Sequence, residues 1–141
     1  MPELIEDILT KNLVEWVVLH LNGGFVPLDR VHISNRDLVR KRPCVVFEVI
    51  ESKRFPAMPN SAAVKLDIHV FSQVKDTPAE DHGAMAREMQ DVLADKQTLK
   101  SDLNSTTFVL HDLILRGSST LPDEEQGRES VLTYDAVVSA V

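Results

Sequence analysis

Apolar and polar positions change period once, sharply, between Val64 and Asp95. Val64, Leu66, Ile68 and Val70 alternate with Lys65, Asp67 and His69, the period of two that marks a half-buried strand. A helix start follows. Thr77 is placed to act as N-cap, Pro78 takes the first helical position, where its missing N–H is not needed, and Glu80 completes a T-x-x-E capping box. Ala79, Gly83, Ala86, Met89 (or Met85), Val92 and Leu93 then recur at three- and four-residue spacing. Glu80, Asp81, Arg87, Glu88, Asp91 and Asp95 point elsewhere, so this helix lays one apolar stripe on a sheet.

The segments on either side extend the pattern. Pro2–Leu21 reads as a helix with Ile5, Leu9, Leu13, Trp16, Val17 and His20 along one side, and with Glu3, Glu6 and Asp7 suiting the positive end of its dipole. Asn22-Gly23-Gly24 is expected to stop it, glycine taking the left-handed conformation that closes helices. Trp16 is read as a core or helix–sheet anchor, or else as a contact on a neighbouring subunit. In the irregular stretch Phe25–Arg42, Val31-His32-Ile33 is a candidate edge strand and Ser34 a candidate cap for a single turn. Pro43 opens the strand Cys44–Glu51, whose apolar side chains on both faces suggest an inner strand covered on both sides.

Ser52–Ser61, with two prolines, reads as the turn of a wide hairpin, and Phe55 and Met58 within it as a contact tip. Lys96–Ser105 is a polar return tacked down by Leu99 and Leu103. Thr106–Arg116 is a strand with Val109, Leu113 and Leu115 on one face and Phe108, Leu110 and Ile114 on the other. Gly117–Glu129 has the glycines, proline and acids of a long mobile loop. Ser130–Val141 closes the chain as a strand in which Leu132, Tyr134, Ala136 and Val138 alternate with Thr133, Asp135 and Ser139. The expected fold is a single α+β domain over residues 1–141. It is a mainly antiparallel twisted sheet carrying the N-terminal helix and the second amphipathic helix.

Composition narrows the function classes. A chain of 141 residues, 43% hydrophobic and 26% charged, can bury a core without staples. Its net charge of −7 argues against a nucleic-acid binder, which needs clustered Lys and Arg for phosphates. The one dense basic cluster, Arg36, Arg40, Lys41 and Arg42, lacks interleaved aromatics or glycines. It reads as a solvated loop or as a docking patch for an acidic protein surface. A single cysteine, Cys44, has no partner for an internal disulfide or a cysteine zinc site, and its apolar neighbours make it a buried, inert thiol. Nothing in Met1–Ile8 resembles a signal peptide, no apolar run is long enough to span a membrane, and synthesis in the cytoplasm is expected.

Chemistry-bearing motifs are scarce. Gly23-Gly24 follows a helix instead of preceding one, so it is no phosphate loop, and G-x-S-x-G is missing. Asp67 and His69 share one strand face, and with His111-Asp112 close by they could ligate zinc or share a proton. A D-x-H pair on a polar strand face arises readily by chance, however, and His20, His32 and His82 have no partner pattern. No catalytic residue, cofactor or metal ligand is therefore assigned.

Taken from Glu3 to Val141, the chain resembles the tail terminator (tail-completion) proteins of long-tailed bacteriophages. The stretches that carry the resemblance are the N-terminal helix, the P-x-V-V-F strand of Pro43–Val49, and the K-L-D-I-H-V-F-S strand of Lys65–Ser72. To these are added the A-x-x-H-x-x-M-A-x-x-M-Q-x-x-L helix of Ala79–Leu93 and a strand pair ending in L-T-Y-D-A-V-V, Leu132–Val138. The resemblance implies a non-enzymatic virion protein that forms a ring, typically six-fold, on the head-proximal end of the tail tube. Such a ring stops tube growth and joins the tail to a neck or head-completion protein while DNA passes through without specific binding. On that basis Arg36, Arg40, Lys41, Arg42, Phe55 and Met58 are the expected subunit or tube interface, and Asp123, Glu124 and Glu125 the channel- or tube-facing loop. The alternatives are another head-completion or neck connector protein, or a small cytosolic enzyme or ligand-binding protein.

Overall fold

A computed structural model describes residues 4–21, 24–26, 30–33, 43–75, 77–121 and 127–140. The elements run α1 (Ile5–His20), β1 (Val31–Ile33), β2 (Cys44–Phe55), β3 (Met58–Gln73), α2 (Ala79–Ala94), α3 (Lys96–Leu103), β4 (Phe108–Thr120) and β5 (Gly127–Ala140). The strands form one sheet in the order β1-β2-β3-β5-β4, antiparallel except for the parallel β1–β2 pair. The fold is α+β, as the sequence led us to expect.

Alternation decides which face is covered. On β3, Ala62, Val64, Leu66, Ile68, Val70 and Ser72 are buried, and on β5 so are Ser130, Leu132, Tyr134, Ala136 and Val138. Cross-strand partners Leu66–Tyr134 and Ile68–Leu132 fix the two strands so that both stripes share one face. Onto that face α1 lays Ile5, Leu9, Leu13, Trp16 and Val17, α2 lays Met85, Met89 and Leu93, and α3 lays Leu99. Among the described residues no helix covers the opposite face. There Lys65, Asp67, His69 and Phe71 of β3 stand beside Glu129, Val131, Thr133 and Asp135 of β5, exposed to half-buried.

Several expectations need correction. α2 begins at Ala79 with Pro78 as its N-cap, and no side chain caps it. Thr77 is drawn into the preceding turn: its N–H donates to the Gln73 carbonyl (2.9 Å) and its own carbonyl accepts from Arg128, so the T-x-x-E box does not form. The Pro78 carbonyl takes the N–H groups of Asp81 and His82 instead. α1 ends in extended backbone at Leu21, whose N–H returns to the Val17 carbonyl. Asn22 and Gly23 lie outside the described residues, as does the Ser34 turn. Lys96–Ser105 is a helix over most of its length, because Asp95 accepts from Thr98 N–H and so caps it.

Ser52–Ser61 is no wide turn. β2 and β3 stay paired out to Phe55–Met58, and only Pro56 and Ala57 turn the chain. Likewise β4 continues through Gly117 to Thr120 and β5 begins at Gly127, so most of the expected loop Gly117–Glu129 is strand. The face assignment of β4 is also wrong beyond Leu110. A bulge at His111 shifts the alternation, putting Leu110 and Leu113 both into the core. β2 is an inner strand, but among the described residues helices cover it on one side only. His20, expected on the apolar side of α1, is exposed and stacks on Trp16 at 4.0 Å. The edge strand Val31–Ile33, the anchor role of Trp16 and the buried thiol of Cys44 are all as expected.

Candidate functional site

Three polar constellations stand out, two on the helix side of the sheet and one on the open face. The first is wholly buried. His82 projects from the first turns of α2 with Nδ1 2.7 Å from Ser72 Oγ on β3 and Nε2 2.9 Å from Ser130 Oγ on β5. Ser130 Oγ is also 2.9 Å from Thr120 Oγ1 on β4, so four elements meet in one hydrogen-bonded chain. His82, Ser72 and Ser130 are at most 3% exposed. A neutral imidazole matches two hydroxyls, donating from one nitrogen and accepting at the other. Sealed from solvent, this group acts as a pin between α2 and the sheet. The sequence reading gave His82 no role, since a histidine in an amphipathic helix counts as polar whatever it faces.

At the second constellation, Trp16 Nε1 donates to Asp102 Oδ2 (2.8 Å) and ties α1 to α3. His20 stacks on the indole, its Nδ1 donates to the Trp16 carbonyl (2.8 Å), and its Nε2 lies 3.6 Å from the same carboxylate oxygen. Tyr134 of β5 faces the core, and burial pushes the pKa of its phenol up to about 12.

The open face carries the third. On β3, Asp67 and His69 point the same way, two residues apart, as the sequence pattern predicts. Glu48 on β2 is directly opposite Asp67. His69 is flanked by Val46 on β2 and Val131 on β5, which are its cross-strand partners. Its Nδ1 donates to Glu129 Oε2 (2.7 Å), its Nε2 is 3.2 Å from Glu48 Oε1, and Phe71 stacks beside the ring at 5.7 Å. Asp67 Oδ1 accepts from Thr133 Oγ1 (2.8 Å). The His69, Glu48 and Glu129 side chains are 18%, 34% and 27% exposed, recessed but open to solvent.

His111-Asp112 does not join this group, because β5 lies between β4 and β3. His111 instead meets Ser139 Oγ (2.7 Å), and Asp112 pairs with Lys96 at 3.5 Å. Slight burial would raise the Asp112 carboxyl, but the Leu113 N–H and the charges of Lys96 and Lys100 together hold it below the usual carboxylate value. Glu48 and Glu129 are the members that sequence reasoning missed. A lone acid inside C-V-V-F-E-V-I was a signal for the first, while Glu129 was hidden in the supposed loop.

Of the expected assembly residues, Phe55 and Met58 face each other as the last pair of the β2–β3 hairpin, Phe55 half-buried and Met58 57% exposed. Arg36, Arg40, Lys41 and Arg42, and the acids Asp123, Glu124 and Glu125, lie outside the described residues. Among the described residues no helix is long and apolar enough to cross a membrane. No protein-family model matches the chain, and no curated protein matches its sequence.

Proposed function

We propose that this chain is a structural subunit of the tail-terminator type, a non-catalytic protein of the virion. It closes into a ring, hexameric as the resemblance implies, on the head-proximal end of a tail tube. There it stops tube growth and offers a face to a neck or head-completion protein, while DNA passes without being held.

What supports this reading is the way the resembling stretches combine. The helix α1, the strand around Pro43–Val49, the strand around Lys65–Ser72, the helix α2 and the strand around Leu132–Val138 all belong to one sheet with both helices on the same side. They are successive parts of one packing unit, which is what a resemblance in layout requires. In this reading the basic cluster Arg36, Arg40, Lys41 and Arg42 meets an acidic neighbour or the tube, and the Phe55–Met58 tip supplies apolar contact. Asp123, Glu124 and Glu125 face the channel or the tube, where negative charge keeps phosphates moving. A closed ring needs a heterologous interface, one patch meeting a different patch on the next subunit.

The test combines sedimentation velocity and negative-stain microscopy of the purified chain with complementation of a terminator-defective phage. The expected result is rings with a central hole. Exposed ion pairs contribute about 0–1 kcal/mol each, so the cluster steers docking more than it holds the ring. The variant R36E/R40E/K41E/R42E is therefore expected to stay folded but to lose ring formation or tail capping. A chain that stays monomeric at high concentration and fails to cap tails would overturn the proposal.

A further inference from the structure

We propose that Glu48, Asp67 and His69 bind a divalent transition-metal cation of the zinc type on the open face of the sheet, with Glu129 as a positioning residue. One donor atom from each of the three residues can be chosen so that all lie within 4.8 Å of one another. Ligand atoms about 2.0–2.1 Å from a tetrahedral zinc ion sit about 3.3 Å apart. His69 Nε2 and Glu48 Oε1, at 3.2 Å, already have that spacing.

Three further observations make this more than a chance cluster. First, Glu129 Oε2 accepts from His69 Nδ1–H, and in the neutral ring of that tautomer Nε2 carries the lone pair, on the side of Glu48. A carboxylate on the far nitrogen is the arrangement that fixes the tautomer of a metal-binding histidine and raises its basicity. Second, Glu48 and Asp67 are direct cross-strand partners, and like charges in that position repel unless a cation lies between them. Third, the Glu48 and Glu129 carboxylates both lie against the His69 ring, and the Asp67 carboxylate is held by the neutral Thr133 hydroxyl. Three carboxylates thus surround one imidazole, leaving an excess of negative charge that a divalent ion matches.

The ligand set selects the metal. Imidazole favours zinc and its neighbours, whereas a site for magnesium is built of oxygens alone. Val46 and Val131 on either side of the ring limit hydration laterally, and Thr133 holds one oxygen of Asp67 so that the other is free to turn to the ion. Three protein ligands leave a fourth position for water, opening onto the uncovered face.

The experiment is isothermal titration of the metal-free full chain with zinc chloride, and with magnesium chloride for comparison. Circular dichroism checks that each variant is folded. The expected result is one zinc per chain, bound more tightly than magnesium. H69Q and E48Q, which keep the side-chain bulk, are each expected to weaken zinc by at least about tenfold, and E48Q carries the test should H69Q fail to fold. E129Q is expected to weaken it by about 10- to 100-fold while keeping one site per chain. Zinc binding that is absent, or unchanged in both E48Q and H69Q, would overturn the proposal. Magnesium bound as tightly as zinc would overturn the choice of metal, and an unchanged E129Q the role of Glu129.

Discussion

Replacing His82 by alanine tests whether the buried pin organises the core. The imidazole bridges Ser72 Oγ and Ser130 Oγ at 2.7 and 2.9 Å. Without it Ser130 keeps Thr120 Oγ1 at 2.9 Å, while the fully buried Ser72 hydroxyl loses its imidazole partner. An orphaned buried hydroxyl costs about 1–3 kcal/mol, and emptying the space of a buried ring adds a cavity term, giving about 3–6 kcal/mol in all. That is a large part of the about 5–15 kcal/mol by which small domains are stable. The assay is urea unfolding at 25 °C with linear extrapolation, comparing H82A, S72A and the double variant. S72A removes the hydroxyl that H82A would orphan, so the double variant should fall short of the sum by about 1–3 kcal/mol. A loss below about 1 kcal/mol for H82A, or strict additivity, would refute the pin.

Leu93, 2% exposed on α2, should cost about 2–5 kcal/mol when truncated to alanine, and an unchanged melting curve would remove that helix from the core. W16F deletes the donor to Asp102, whose side chain is 45% exposed and regains water, so a loss of only about 0.5–1.5 kcal/mol in urea unfolding is expected from that bond. Tyr134 links stability to alkaline pH. Its folded value of about 12 stands above the ordinary 10.0, so the folded state keeps the proton longer, and the contribution is full below pH 10 and lost as pH rises toward 12. The two-unit gap corresponds to about 2–3 kcal/mol, which Y134F should remove from the slope of stability between pH 10 and 12; equal slopes would contradict it.

Strict alternation was enough to read β3 and β5, because Val64–Val70 and Leu132–Val138 keep one period within their core stripes. Where a bulge intervenes the same rule fails. The extra residue at His111 moved Leu113 to the face of Leu110, and the irregularity at Ile50 shifts β2 in the same way. Prolines and glycines misled more than they helped. Pro56 marks a real turn, but the pairing of Phe55 with Met58 shows how short that turn is, and Gly117 lies within a strand. The Asp67–His69 half of the open-face cluster was visible as a two-residue spacing. Its other half comes from the register of β2 and β5 against β3, a long-range property that no local pattern encodes.

The edges of the sheet limit how copies of this chain can meet. An edge strand with free N–H and C=O groups invites another strand, and proteins blunt it with shortness, charge or bulges. Here β1 spans three residues among those described, and β4 is interrupted at His111 and again at Arg116, which is turned onto Asp135 at 2.7 Å. Continuing the sheet from one subunit into the next is thus disfavoured at the β4 edge. The open face is no freer to stack on an apolar partner. It carries the Glu51–Lys53 and Arg116–Asp135 pairs and the recessed His69 cluster, whose charges would have to be matched on burial. In the ring proposed above, closure would then fall to parts away from the sheet edges and the open face. The β2–β3 tip with its exposed Met58 is one such part, and in the proposed function the basic cluster Arg36, Arg40, Lys41 and Arg42 supplies a patch of the opposite chemistry. Two unlike patches on one subunit are what a heterologous interface demands. On the proposed function, truncating the exposed end of the tip by M58S should therefore abolish rings while leaving the unfolding free energy in urea within about 0.5 kcal/mol of the parent, as for surface substitutions elsewhere. Rings that persist unchanged in that variant would remove the tip from the interface and return the burden to the open face.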